Sequence, residues 1–108
     1  MQVQQIDNMD DPRLAVYRDL KDRELVARQG LFIAEGVHLV RRMLAAGLEA
    51  HSLLLAQRRV EVFAPLAPEG VPVYVLPDAL IDRVVGFKFH SGVLACGSLT
   101  AAMGGAAF

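Results

Sequence analysis

Cysteine is nearly absent from this sequence, which contains one, Cys96, among 108 residues. A disulfide framework needs paired cysteines and a cysteine-based metal site needs several, so the composition excludes both. Cys96 closes the apolar string GVLAC, and this setting predicts a buried, unreactive thiol.

Long hydrophobic runs and an excess of one charge are also missing. No apolar run approaches the roughly 18 to 20 residues that a membrane-spanning helix needs, and the start, MQVQQIDNMDD, does not resemble a signal peptide. We therefore expect a cytoplasmic protein that does not contact a membrane. The formal net charge is −1, whereas dedicated nucleic-acid binders carry many unbalanced Lys and Arg residues. Any RNA binding is therefore expected to be local and weak.

Motifs for cofactor binding and catalysis do not occur either. There is no GxGxxG and no GxxxxGK followed by Ser or Thr, which argues against a Rossmann-type nucleotide or methyl-donor site. The histidines at 38, 51 and 90 are far apart and lack a cysteine partner, which argues against a metal site. His90 precedes Ser91, but no third residue is placed to orient the histidine, so the pair predicts a turn.

Apolar residues, in contrast, are plentiful: they make up 54% of the chain, enough for the core of a single domain. Short segments rich in Val and Leu predict four buried strands, at residues 31–34, 52–56, 71–76 and 92–96.

Helices are predicted between the strands from their start and stop residues. Asp11 and Pro12 begin the first, Asp22 and Gly30 bound a second, Gly47 ends the helix after Gly36, Pro65 stops a helix at 57–64, and Asp78 caps a helix ending at Gly86. The alternation of strands and helices predicts an α/β layered sandwich.

The most informative stretch is GLFIAEGVH at residues 30–38, where a short strand runs directly into Glu35-Gly36 and then into a helix. Gly36 allows the backbone to turn without a Cβ clash. The free N–H groups of the first helical turn would suit a phosphate or a carboxylate.

The helix that follows this corner has two different faces. Val37, Val40 and Leu44 recur at helical spacing, whereas the opposite side is basic and carries His38, Arg41 and Arg42. A basic face of this kind is either a solvated surface or a phosphate-binding one, and the spacing alone leaves both interpretations open.

Four segments, in this order and spacing, carry a family resemblance: DDPRL at 10–14, YRDLKD at 17–22, LFIAEG at 31–36 and HSGVLA at 90–95. Over about residues 6–97 the chain resembles the N-terminal substrate-binding domain of the SpoU (TrmH) family of RNA ribose 2′-O-methyltransferases. The resemblance implies a three-layer α/β/α sandwich with a small mixed four-stranded sheet, similar to the ribosomal proteins that bind kink-turn RNA.

The resemblance also implies a division of labour. Residues 1–97 would form the RNA substrate-binding domain for tRNA or rRNA, and residues 98–108 a linker or tail. The family's catalytic domain has a knotted fold, binds S-adenosylmethionine and usually dimerises. It supplies a catalytic motif centred on an Asn and followed by an Arg. The asparagine of this sequence is Asn8, at the wrong end. We therefore expect no catalytic residue and no cofactor in this chain, which should be monomeric, and a homodimer for the full-length parent.

Carried onto this sequence, the resemblance implies RNA-facing residues around the corner and the basic helix face: Arg28, Glu35, Gly36, His38, Arg41 and Arg42, with Arg13 and Arg18 in addition. Arginines would contact phosphates without reading bases, whereas Glu35 would cap or orient the corner because a carboxylate repels phosphate. His90 and Gly92 would shape the turn before the last strand.

Two other functions fit the sequence. The first is a free-standing RNA-binding protein of the ribosomal type, with no enzyme attached. The second is a protein interaction or dimerisation module without nucleic acid, which the net charge of −1 favours and the grouping of Arg28, Arg41 and Arg42 disfavours.

Overall fold

The computed structural model describes residues 2–18, 30–85 and 91–98. Five strands form one sheet in the order β1-β4-β3-β5-β2. The strands are β1 (Gln2–Gln5), β2 (Leu31–Glu35), β3 (Ala50–Ala56), β4 (Pro72–Leu76) and β5 (Val93–Ser98). β1, β4 and β3 are parallel to one another, whereas β5 runs antiparallel to both β3 and β2, so the sheet is mixed.

The four predicted strands are present, but the prediction of a four-stranded sheet is wrong because β1 was missed. Its sequence, QVQQ, is polar and gives no strand signal of its own. β1 forms at the edge of the sheet by pairing with β4, in a register that sets Val3 opposite Val73. This strand therefore depends on tertiary pairing, which local pattern does not report.

Three α-helices are described: α1 (Val37–Ala45), α2 (Val60–Phe63) and α3 (Asp78–Val85). Short 3-10 helices occur at Pro12–Tyr17, Gln57–Arg59 and Ala64–Leu66. α1 ends as predicted: Gly47 lies at φ 73°, its N–H donates to the Leu44 carbonyl, and the Leu48 N–H donates to the Met43 carbonyl. These two bonds satisfy carbonyls that the last turn leaves free.

Two predicted helix boundaries are wrong, at Pro65 and at Asp78. Pro65 does not stop the helix that begins at Gln57, because it sits in the first turn of a 3-10 segment, where a missing N–H costs no hydrogen bond. Asp78 is the first residue of α3, and its carboxylate accepts hydrogen bonds from Arg58. The helix predicted from Asp22 falls at residues 19–29, which are not described. The cap at Asp11 is confirmed, since its side chain accepts from the Arg13 N–H.

Helical segments cover both faces of the sheet, which confirms the α/β/α sandwich. On one face, Val40 and Met43 of α1 and Phe63 of α2 pack against a cluster of small and branched strand residues: Ala34, Leu53, Leu55, Val73, Val75, Val93 and Ala95. On the other face, residues of Pro12–Tyr17 and α3 pack against a second cluster: Leu31, Leu54, Ala56, Leu76, Leu94 and Cys96. The sheet thus separates two apolar layers.

Cys96 lies within the second cluster with no exposed surface, so the predicted burial of its thiol is confirmed. Burial disfavours the charged thiolate and raises the pKa of Cys96 to about 11. Within the described residues, no helix is long and apolar enough to cross a membrane, and no group of three His, Cys, Asp or Glu side chains could hold a metal ion.

A buried hydrogen bond joins the 3-10 helix Pro12–Tyr17 to the centre of the sheet. The Tyr17 hydroxyl lies 2.6 Å from the Ser52 hydroxyl, and both side chains are buried. Each hydroxyl is therefore the hydrogen-bond partner of the other at a place that water does not reach.

Removing one member of this pair should destabilise the domain more than removing both. We expect Tyr17→Phe or Ser52→Ala each to lower the free energy of unfolding by about 1–2 kcal/mol, because the remaining hydroxyl loses its partner. The double variant should cost less than the sum of the two single changes. Urea unfolding followed by circular dichroism measures all three, and strictly additive costs would contradict the pairing.

Candidate nucleic-acid interface

Gly36 forms the corner between β2 and α1 and adopts φ 105° and ψ 155°. Its N–H donates to the Val93 carbonyl at 3.0 Å, and its carbonyl accepts from the Val40 N–H at 3.0 Å. A Cβ added at this position would meet nothing within 4 Å. Glycine is therefore required here by the positive φ and not by crowding.

The start of α1 has no side-chain cap. The side chain of Glu35 is exposed at the end of β2, and its expected role in capping or orienting the corner stays a prediction. Because the first turn of a helix has N–H groups without intrahelical acceptors, this end of α1 carries partial positive charge.

The outward side of α1 is basic. Val40 and Met43 are buried against the sheet, whereas His38, Arg41 and Arg42 are all exposed. We call these three residues the α1 basic face. Met43, which the spacing did not select, takes the buried place expected for Leu44, and Leu44 is half-buried.

The two arginines of this face differ in their surroundings. The guanidinium carbon of Arg41 lies 5.3 Å from the centre of the Phe63 ring, a cation–π contact that holds the side chain against α2. Arg42 has no ion-pair partner in the segments that the structure describes. Its charge is therefore available to a ligand.

A second basic group lies at the same edge of the sheet. Because β2, β3 and β4 point the same way, their carboxyl ends meet at one edge, and the residues that follow them lie together there. Arg58 and Arg59 follow β3 after a single residue, Gln57, and we call them the arginine pair. Sequence analysis did not select these two residues. Two adjacent arginines after a buried strand indicate a site only when the strand order is known.

The arginine pair contacts the residues around it. The Arg59 Nε donates to the Ser91 carbonyl at 2.7 Å. Arg58 Nη1 lies 2.9 Å from a carboxylate oxygen of Asp78, and the Arg58 backbone N–H donates to the same side chain. These hydrogen bonds hold the pKa of Asp78 below its usual range, so this carboxylate is charged at neutral pH.

Gly92 shapes the turn before β5, as expected. It adopts φ 68°, and a Cβ there would lie 3.0 Å from the Ala56 Cβ and 3.0 Å from Arg58 Nη2. Its carbonyl accepts from the Ala56 N–H at 2.8 Å. His90, which was expected to help shape this turn, lies outside the described residues.

Arg13 and Arg18 lie on the other side of the sheet from α1, since Leu14 and Tyr17 of the same 3-10 helix belong to the opposite core cluster. Arg13 pairs with Asp11 at 2.6 Å, and this bond lowers the pKa of Asp11 to about 2. Arg18 donates to the Asp11 carbonyl, and its Nε is buried without a partner in the described structure. The fold therefore does not bring these two arginines together with the α1 basic face, and Arg28 lies outside the described residues.

A family model for the MRM3-like substrate binding domain matches residues 11–95. The chain belongs to this family. Proteins of Mycobacterium tuberculosis and Mycobacterium bovis, each named an uncharacterized tRNA/rRNA methyltransferase, are 41% identical to this MRM3-like domain over 100 residues. The match covers 88% of this chain and 35% of each relative, so the chain spans about a third of their length.

Solved structures share the fold of this MRM3-like domain. The crystal structure of an rRNA methyltransferase from Sinorhizobium meliloti matches 91% of this chain and 38% of its own, with a TM-score of 0.72 and 21% identity. A protein of Porphyromonas gingivalis assigned to the TrmH family of RNA methyltransferases matches 87% of this chain and 37% of its own, with a TM-score of 0.66 and 22% identity. The family model confirms the predicted substrate-binding domain, and these structural matches confirm its fold.

A substitution at residue 36 tests whether the corner requires glycine. We expect Gly36→Ala to lower the free energy of unfolding by about 1–2 kcal/mol, because a side chain at this positive φ strains the backbone even though space is available. The matched control is Glu35→Ala, an exposed neighbour, which should change the free energy of unfolding by less than about 0.5 kcal/mol. Thermal unfolding of both variants checks the difference, and equal stability would show that the positive φ at residue 36 does not require glycine.

Proposed function

We propose that this domain holds tRNA or rRNA for an S-adenosylmethionine-dependent RNA 2′-O-ribose methyltransferase of which it forms part. The observation that carries the proposal is the uncapped start of α1 beside the exposed α1 basic face. N–H groups at a helix start and arginine side chains are both suited to phosphate.

Phosphate contacts position an RNA without reading its sequence. In this proposal, Arg41 and Arg42 contact phosphates, and His38 and the Gly36 corner lie beside them. Glu35 is the acidic residue at the border of this surface. Arg13 and Arg18 lie across the sheet and would reach the RNA only where it extends beyond the α1 side. Arg28 stays a prediction.

The chain's small net charge fits a local and modest contribution to binding. We assign S-adenosylmethionine binding, methyl transfer and dimerisation to the remaining length of the parent protein, which we place in the cytoplasm. The support is that the relatives named tRNA/rRNA methyltransferases have about two thirds of their length outside the match. The chain's own contribution is then to bind and orient the RNA.

Neutralising the α1 basic face tests the proposal. We expect Arg41→Ala combined with Arg42→Ala to weaken binding of a fluorescein-labelled rRNA fragment about tenfold at low salt, since two phosphate contacts are lost. The slope of log affinity against log salt should become shallower by about 2. Fluorescence anisotropy at several salt concentrations measures both quantities.

Arg83→Ala is the matched control for the single change Arg42→Ala. Arg83 is exposed on α3, which packs on the opposite face of the sheet, so both variants lose one exposed helical arginine. The Arg42 change should weaken RNA binding more than the Arg83 change. Equal effects of the two would show that binding follows overall charge, and unchanged affinity of a folded double variant would refute the site.

A further inference from the structure

We propose that the arginine pair, Arg58 and Arg59, is a second phosphate-binding element of the same RNA interface, and that Asp78 restrains it by pairing with Arg58. This inference rests on the proposed function, because it takes RNA as the ligand. It extends the interface from α1 to the neighbouring end of β3.

The backbone holds the arginine pair in a fixed place. β3 is fully buried from Ser52 to Ala56, and the Ala56 N–H donates to the Gly92 carbonyl at 2.8 Å. The chain then enters the 3-10 helix Gln57–Arg59 directly. Both arginines therefore start from a rigid strand end at the rim of the sheet, where a binding residue loses little conformational entropy.

The two side chains also lie against the turn before β5. Arg59 Nε donates to the Ser91 carbonyl, and the Arg58 guanidinium lies so close to Gly92 that a Cβ there would be 3.0 Å from Nη2. A guanidinium has five N–H donors in a planar fork that suits phosphate oxygens. Within the described residues, the Ser91 carbonyl occupies one N–H donor of Arg59. The remaining N–H donors of this guanidinium can bind a ligand.

The turn that the arginine pair contacts is joined to the α1 corner. Val93, which follows Gly92, accepts a hydrogen bond from the Gly36 N–H. The α1 start, the turn and the arginine pair therefore lie in succession along one edge of the sheet. An RNA backbone that follows this edge would meet phosphate-binding groups on both sides of the turn.

Asp78 lies at the far end of this succession. It pairs with Arg58 at 2.9 Å, and both side chains are about two fifths exposed, at 42% and 43%. Exposed ion pairs contribute little to stability, so a phosphate can replace the carboxylate without a large cost. The negative charge of Asp78 nevertheless opposes an incoming phosphate and occupies an Arg58 donor.

Single charge changes, measured by anisotropy with the same labelled rRNA fragment, separate these roles. We expect Arg59→Gln to weaken binding about fivefold and to lower the salt slope by about 1, as one phosphate contact is lost. Arg58→Gln should also weaken binding, and it leaves the Arg59 bond to Ser91 in place. Asp78→Asn should strengthen binding severalfold, because it removes a competing charge while keeping the side-chain shape.

Two exposed residues outside the proposed interface serve as matched controls. Arg83→Gln removes a positive charge from α3, and Glu69→Gln removes a negative charge from the turn before β4, at the opposite end of the parallel strands. Equal effects of the arginine-pair variants and Arg83→Gln would overturn the second element. Equal effects of Asp78→Asn and Glu69→Gln would overturn the restraint by Asp78.

The outcome also distinguishes this inference from the proposed function. If Arg42→Ala weakens binding and neither arginine-pair variant does so, the second element is refuted while the α1 interface stands. If the wild-type domain binds no RNA at low salt, both the proposed function and this inference are refuted. Amide spectra of each variant, with unchanged Ala56 and Val93 signals, show that the turn has kept its conformation.

Discussion

The pairing of β5 with both β2 and β3 is the constraint on which the candidate interface depends. β5 runs antiparallel between two strands that point the same way, so its start meets their carboxyl ends. Two backbone hydrogen bonds fix this meeting point, from Gly36 to Val93 and from Ala56 to Gly92. The corner of α1 and the arginine pair belong to distant parts of the sequence, and β5 is what places them side by side.

Burial makes that meeting point rigid. β5 is buried from Val93 to Gly97, and its side chains enter both core clusters, with Val93 and Ala95 on the α1 side and Leu94 and Cys96 on the other. A strand buried on both faces resists displacement, since moving it would expose apolar surface in two layers. The start of β5 is therefore a fixed point between the ends of β2 and β3.

Local sequence pattern was sufficient to predict much of the fold. The apolar strands, the Asp11 cap, the end of α1 at Gly47 and the buried Cys96 each follow from residues within a few positions of one another. The polar strand β1 was missed because it exists through its partner β4. The arginine pair was missed for a related reason: two arginines after a strand acquire meaning only when the strand order shows which other ends lie beside them.

The proposed RNA interface runs along the edge where α1, the arginine pair and the start of β5 meet. The direct measurement is a titration of the ¹⁵N-labelled domain with an rRNA fragment at low and moderate salt, followed by amide chemical shifts. We predict salt-sensitive shifts at residues 36–42, 57–59 and 91–93, and little change around Arg83. Shifts centred on residues 12–18 or on α3, or no shifts at millimolar protein, would contradict this prediction.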